Sequence, residues 1–454
     1  MTLTAAPPKA TRAKVPPGPS RAAAPVLLAR MQKDRLKVLA AAAARYGDAV
    51  RVPLGPKTLY LFNHPDYAKH VLADNAANYH KGIGLVHARR AIGDGLLTSE
   101  GEAWRRQRRT VHPVFQTKRI AAQVPAIADE AQKLVDRLRA APGPVDIRRE
   151  MTGLALGVLG RTLLDADLGA FEQIGDSFEA VQDQAMFEMM SLSMVPMWVP
   201  LPKQVRFRRA RRYLDQVVAT LVADRAGRPA ATADDVLSRL IESVRGEDDR
   251  VAGNRMRDEL VTLLLAGHET TASTLSWAFH LLDEHPDVWR RMHEEAAQVL
   301  TGTPTLEDLH RLRYTTMVVE EAMRLYPAVW LLPRIARQAD EIGGYRVPAG
   351  ADVVMCPYLL HRHPDFWDDP ERFDPERFDP KRAPGRNRYS YIPFGAGPRV
   401  CVGSSLGTME AVIVLATVAR DLRLEKLPGH RISGEPMLTL RVRGGLPMTV
   451  HPTT

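Results

Sequence analysis

Between about Arg255 and Glu284 the sequence RMRDELVTLLLAGHETTASTLSWAFHLLDE has an almost wholly apolar middle. Its spacing predicts one helix of roughly 30 residues, about 45 Å long at 1.5 Å per residue. A helix apolar on all sides belongs inside a core, and His285-Pro286 would end it. Stretches such as RRARRYLDQVVATLVADR and DVWRRMHEEAAQVL place apolar residues three to four apart with charges between, so the middle of the chain reads as helical. Strand-like runs flank it. DAVRVPLGPKTLYLFN predicts a hairpin turning at Gly-Pro, and GGYRVPAGADVVMCPY predicts another turning at Pro-Ala-Gly. The segment DFWDDPERFDPERFDPKRAPGRNRYSYIP is too rich in Pro, Asp and Arg for either element, and a long ordered loop of that kind is often functional.

The long helix carries an unusual interruption at Gly267, His268, Glu269, Thr270 and Thr271. A glycine inside a helix costs about 1 kcal/mol relative to alanine, and a buried Glu or Thr needs a partner. Two readings stand. The Thr270 hydroxyl bonds back to a carbonyl one turn earlier, with Glu269 on a wet edge. Alternatively, Ala266 and Gly267, on the same face one turn before Thr270, leave a notch for a small ligand or water beside its hydroxyl. An acid followed by an alcohol at such a notch suits proton delivery.

Composition adds exclusions. The 454 residues are 45% hydrophobic and 25% charged, as in a water-soluble globular protein, with a net charge of +9. The basic residues are scattered rather than gathered in an aromatic-interleaved stripe, which argues against nucleic acid. The N-terminus lacks the apolar core of a secretory signal and a membrane anchor, so a cytoplasmic protein is expected. Residues 1–20 read as disordered and residues 21–454 as one domain, since no linker or repeat divides them. Two widely separated cysteines argue against a disulfide framework, and no CxxC pair suggests zinc. Cys356, in ADVVMCPY, reads as a buried small residue. Cys401, in FGAGPRVCVG, follows a Gly/Pro turn and precedes an apolar helical stretch. Buried bystander, disulfide half, nucleophile and metal ligand are its possible roles. Glu321 and Arg324 lie at helical i, i+3 spacing in EEAMRLYP, and Arg377 follows in PERF; alone such a pair is ordinary surface, but a buried Arg held by a Glu and a second Arg would form a latch.

Together these pieces resemble the cytochromes P450. The family's haem-ligand pattern Phe-x-x-Gly-x-Arg-x-Cys-x-Gly is met by Phe394, Gly397, Arg399, Cys401 and Gly403. Its oxygen-activating helix motif is met by AGHETT at 266–271, its Glu-x-x-Arg pair by Glu321 and Arg324, and the third latch member by Arg377. Trp104 and Arg108 resemble its Trp-x-x-x-Arg, and Arg334 stands where an arginine usually contacts a haem propionate. The order and spacing agree over residues 17–450.

The resemblance implies a mainly α fold with small β sheets, haem b (iron protoporphyrin IX) lying between the long helix and the cysteine loop. Cys401 would be the thiolate ligand to iron. Arg399, Arg108, Arg334 and Trp104 would meet the propionates. Phe394, Ala266 and Gly403 would border the haem. Thr270 would hold the water that delivers protons for dioxygen activation, and Glu269 would relay them from solvent. The activity implied is a monooxygenase using O2 and NAD(P)H-derived electrons. The chain has no flavin or iron–sulfur motif, so a separate ferredoxin and ferredoxin reductase, or a flavodoxin-type donor, is expected, docking near basic residues such as Arg105, Arg106 and Arg109. A monomer is expected. The run EAMRLYPAVWLLPRIARQADEIGGYRVPAGADVV is similar to actinobacterial members that oxidise sesquiterpene hydrocarbons, which makes a compact terpenoid the leading substrate, with a fatty acid or a polyketide (a macrolide among them) as alternatives. Peroxide-driven peroxygenase chemistry and a non-catalytic haem sensor are the competing readings. The Met-rich segment between Met186 and Met197 is expected to cover the substrate channel, with the HARRAIGDGLLTS loop and Ala328–Leu332 bordering it.

Overall fold

The computed structural model describes residues 13–191, 195–196, 198–227 and 235–453. The helices that shape the site are α1 (Ala24–Lys33), α2 (Arg35–Tyr46), α3 (Leu85–Ile92), α4 (Gly101–Val111), α5 (Ile147–Leu159), α6 (Ile174–Met190), α7 (Pro202–Ala226), α8 (Asp249–Glu284), α9 (Arg313–Leu325) and α10 (Ser404–Asp421). The strands are β1 (Ala49–Leu54), β2 (Lys57–Phe62), β3 (Tyr79–Lys81), β4 (Val145–Asp146), β5 (Leu332–Ala336), β6 (Asp340–Ile342), β7 (Tyr345–Val347), β8 (Asp352–Met355), β9 (Leu422–Lys426), β10 (Gly434–Pro436), β11 (Leu440–Val442) and β12 (Pro447–Pro452). The architecture is mainly helical with small sheets, as the sequence predicts.

The long helix α8 begins one turn and a half earlier than its apolar run, because Asp248 caps it by accepting from Arg250 N at 3.1 Å and Val251 N at 3.3 Å. From Met256 onward it is buried on nearly every face, packed among α5, α9 and α10. Far along it, the Trp277 ring stacks on Tyr326 with centroids 3.9 Å apart, and its indole N–H donates to Leu440 O at 2.8 Å. That bond ties β11 to the helix, and the same carbonyl accepts from Ser273 Oγ at 2.6 Å.

β1 and β2 form the predicted hairpin, with Leu54 opposite Lys57 across Gly55-Pro56. The second predicted hairpin does not form. β7 pairs instead with β6 across Gly343-Gly344, while β8 enters the larger sheet, ordered β1-β2-β8-β5-β3, parallel to β2 and antiparallel to β5. β8 is buried along its length, and a fully covered strand is better satisfied inside a sheet than in an isolated hairpin. The rest of the strands make the sheet β4-β12-β9 and the pair β10-β11.

Within the N-terminal segment expected to be disordered, residues 1–12 lie outside the described residues, but the stretch after them is bonded. Lys14 N donates to Gly344 O at 2.9 Å and Arg51 N to Pro17 O at 2.8 Å, so the ordered chain starts before residue 21. The loop at 365–393 forms only short 3-10 turns, among them Pro375–Phe378. Among the described residues no helix is long and apolar enough to cross a membrane.

Candidate active site

A cavity of about 430 Å³ opens between α8, the cysteine loop, β5 and the N-terminal helices. Its walls are largely apolar, which suits a hydrophobic ligand held by few polar contacts. Phe394, Arg399, Cys401 and Gly403 line one side; Ala266, Gly267 and Thr270 line another.

The cysteine loop is held by its own backbone. Cys401 N donates to Phe394 O at 3.0 Å, and Val400 N to Gly397 O at 3.1 Å. Gly397 sits at φ +69°, where a side chain is strained, and a Cβ there would run into the Leu72 carbonyl. Cys401 is enclosed by protein yet exposed, because the space it faces is the cavity. Burial pushes its thiol up from the ordinary value, opposed by the Gly403 N–H and the Arg108 guanidinium. Cys356 is different in kind. It is fully buried, donates to Trp330 O at 3.2 Å, and is pushed up to about 12 by burial, so it is an inert packing residue.

Beside the cysteine loop the cavity wall collects positive charge. Lys81 on β3 and Arg334 on β5 are direct cross-strand partners, an arrangement that like charges disfavour. Both, with Arg399, line the cavity. Burial and the Arg399 charge push Arg334 down to about 10, and burial with the two arginines pushes Lys81 well below the usual lysine value. Glu100 answers only part of this: it pairs with Arg399 and accepts from Lys81 N at 2.6 Å. Three cations against one carboxylate at an apolar cavity need a further anion, ideally a dianion. A haem supplies two propionates, and Cys401 in the same cavity supplies a thiolate donor, so the residues fit that group.

Lys81 carries no motif and was not anticipated. The opposite holds for Trp104 and Arg108 on α4, which do not line the cavity. The Trp104 ring lies under the Arg399 guanidinium at 4.2 Å, and Arg108 Nη1 donates to Val400 O at 2.7 Å. Both hold the cysteine loop. Glu410 on α10 was also not anticipated: a buried carboxyl lining the cavity, its Oε1 without a partner, and pushed far above the carboxylate range by burial. Its signal was a lone acid in the apolar run MEAVIVLA.

On α8 the two readings of Thr270 combine. Its Oγ1 donates to Ala266 O at 2.9 Å, yet the residue faces the cavity, so its lone pairs remain to accept from a water. Gly267 has a different cause from the notch. A Cβ there would stand 2.6 Å from Leu159 Cδ1, so the glycine admits α5. Glu269 turns toward β11, where its Oε1 accepts from Thr439 Oγ1 at 2.9 Å. Its other oxygen lies 3.7 Å from Nε2 of His268, whose Nδ1 is 2.5 Å from Leu264 O and which burial keeps neutral.

The latch is assembled. Arg324 Nε and Nη2 donate to Glu321 at 2.6 and 2.8 Å, and Arg377 Nε approaches Glu321 Oε1 at 3.4 Å. Ala328–Leu332 line the cavity, as do Leu97, Met186 and Met189; the Met190 side chain, Met194 and Met197 lie outside the described residues. The loop carrying Leu97 is pinned to α8. Asp94 N donates to Asp258 at 2.7 Å and Leu96 N to Glu259 at 3.1 Å. Burial pushes Glu259 up to about 7 in spite of the Leu96 N–H and Arg255. A carboxyl raised from 4.5 to about 7 binds its proton more tightly when folded, so its contribution to stability is full below pH 4.5 and is lost as pH rises through about 7. Melting curves of Glu259→Gln should therefore lack that part of the wild-type decline; parallel curves for both proteins would refute the assignment.

The comparisons agree with this geometry. The profile described as Cytochrome P450 matches residues 16–442. The chain belongs to the cytochrome P450 family. It is 36% identical over 416 residues to cyclooctat-9-en-7-ol 5-monooxygenase of Streptomyces melanosporofaciens, covering 90% of this chain and 89% of that protein. Cyclooctatin synthase of the same organism is 36% identical over 432 residues, covering 93% and 92%. Pentalenene oxygenase of Streptomyces avermitilis is 31% identical over 386 residues, covering 84% and 85%. The chain is a P450 monooxygenase.

Proposed function

We propose that this P450 oxidises a compact terpenoid, with electrons from NAD(P)H delivered by a separate ferredoxin and ferredoxin reductase. The observation that carries the reading is the apolar cavity shared by Cys401 and Thr270, about 430 Å³ in volume. The names of its relatives support the terpenoid class. Bound there, haem would supply the dioxygen chemistry of a monooxygenase, in which two electrons and two protons let one oxygen atom enter a C–H bond while the other leaves as water.

The chain's own residues bind and steer. Cys401 would offer its sulfur to the iron, and the Gly403 N–H together with Arg108 would favour the thiolate against the burial that raises the thiol. Lys81, Arg334 and Arg399 would hold the propionates, with Arg399 also stacked on Trp104. Phe394 and Ala266, which line the cavity, would border the ring. Thr270 Oγ1, its proton committed to Ala266 O, accepts a water and keeps it on the reacting face. Glu269, held by Thr439, passes protons inward. The exposed arginines Arg105, Arg106 and Arg109 lie on α4, the helix whose Arg108 touches the cysteine loop, which gives an acidic electron donor a basic surface on that side.

Titrating the haem-loaded protein with terpenes, fatty acids and macrolides tests the substrate class. Terpenoids should give the low-to-high-spin Soret shift at the lowest concentrations; a fatty acid binding more tightly would overturn the class. Thr270→Ala should keep substrate binding and uncouple NADPH oxidation from product, lowering product per NADPH by an order of magnitude or more, about the scale of a lost general-acid contribution. Unchanged coupling would remove Thr270 from the relay.

A further inference from the structure

We infer that Arg35 is an anchor for an oxygen-bearing end group, so that the substrate already carries a hydroxyl or carboxylate rather than being a plain hydrocarbon. This deepens the terpenoid reading and rests on the cavity being the substrate site.

The charged groups along the cavity sort by partner. Lys81, Arg334 and Arg399 form the cationic cluster beside Cys401. Lys57 and Asp352 face each other at 3.6 Å and neutralise one another. Arg35, at the start of α2, has no such answer. Its Nη1 donates to Pro436 O at 2.8 Å, and its Nε is buried without a partner. Among the described residues no carboxylate lies within ion-pairing distance of it. Glu435, whose charge it feels, is held by Arg441 at 2.8 Å, and Arg443 adds a second positive charge nearby. The other residues of α1 and α2 that line the cavity, and Met437 after the Pro436 carbonyl that Arg35 holds, are apolar: Leu28 and Met31 of α1 and Leu39 of α2. Burial there pulls the guanidinium down from its ordinary value, a sign that its present surroundings do not compensate the charge.

A cation is costly against an apolar wall unless something accepts its hydrogen bonds. A hydrocarbon offers the cavity-facing guanidinium no acceptor. A hydroxyl or carboxylate oxygen in the cavity would accept from the part of the guanidinium that lines it and fix which end of an otherwise featureless skeleton points away from Arg35. This wall, built from α1, α2 and the residue after β10, is distinct from that of the cysteine loop, so the anchor orients the substrate without touching the reacting centre.

The test uses matched sets of hydrocarbon, primary alcohol and carboxylate, on a sesquiterpene skeleton and on a linear one. Each is titrated by the Soret spin shift into wild type, Arg35→Ala and Arg35→Lys. Wild type should bind an oxygenated member about tenfold to a hundredfold more tightly than its hydrocarbon, the range of a hydrogen bond to a charged group. Arg35→Ala should lose that preference while its hydrocarbon affinity stays unchanged, which also shows that the variant is folded. Arg35→Lys should keep part of it for the carboxylate. Whether alcohol or acid shows the larger preference identifies the end group. Equal weakening of all three members in Arg35→Ala would mean that Arg35 only supports the wall through Pro436, and would overturn the proposal, as would a wild type with no oxygen preference. A linear set favoured over the terpenoid set, with the Arg35-dependent preference intact, would overturn the terpenoid reading and leave the anchor standing.

Discussion

Arg324→Ala is expected to lose about 3–5 kcal/mol of stability, the scale for removing one partner of a buried ion pair. Domains of this kind hold only about 5–15 kcal/mol in total. Both side chains of the pair are completely buried. Besides its two bonds to Glu321, Arg324 donates to the carbonyls of His361 at 2.9 Å, Pro370 at 2.7 Å and Arg372 at 3.0 Å. Those carbonyls belong to the long Pro- and Asp-rich loop and the segment before it, which have no ladder of their own. The guanidinium therefore acts as the missing secondary structure. The connection continues to the cysteine: the buried His361 ring faces Arg324 O through Nδ1 at 3.3 Å and accepts from Ile392 N through Nε2 at 2.9 Å, two residues before Phe394. Without Arg324, Glu321 is left with Arg377 and the Asp374 N–H, and burial, which already raises its carboxyl, would drive protonation. Urea denaturation should show the lowered midpoint, with weaker haem retention. Arg324→Lys should rescue little, because an ammonium cannot reach acceptors spread in a planar fork. A wild-type midpoint for Arg324→Ala would show that the loop is held by something else.

What the sequence made legible and what it hid divide along the range of the physics. The 49–62 hairpin needs only a turn and two facing strands, and α8 needs only its own apolar run and an Asp cap. Both signals are local. The failed hairpin at 343–358 turned on partners far away in sequence, since β8 lies against β2, some three hundred positions earlier, and no local propensity encodes that choice. The site shows the same split. Cys401, Thr270 and the latch sit in motifs whose spacing is visible. Lys81 becomes meaningful only when β3 places it opposite Arg334, and Glu410 only when α10 turns it to the cavity. Gly267 was visible as an anomaly, but its reason, the approach of Leu159, was not. Trp104 and Arg108 meet the propionates by resemblance; the contacts the geometry shows are to Arg399 and the Val400 carbonyl, which no spacing in the sequence indicates.

Cys401→Ser should abolish the red-shifted carbon monoxide band that thiolate-ligated haem shows on reduction, and with it substrate oxidation, while leaving the fold intact. The reasoning runs through the neighbours of the sulfur. A serine fits the loop, because the Cys401 N–H to Phe394 O bond and the Gly397 turn are backbone features that do not depend on the side chain. An alcohol keeps its proton at neutral pH, so Gly403 N–H and Arg108, which favour a thiolate, have no anion to stabilise. Lys81, Arg334 and Arg399 still hold a dianion, so haem should remain at reduced occupancy, which separates loss of the ligand from loss of the site. Cys356→Ser is the control, since that thiol is sealed against Trp330 O, outside the cavity lining, and its replacement should leave the band in place. A Cys401→Ser protein that keeps the band, or a Cys356→Ser protein that loses it, would reassign the ligand.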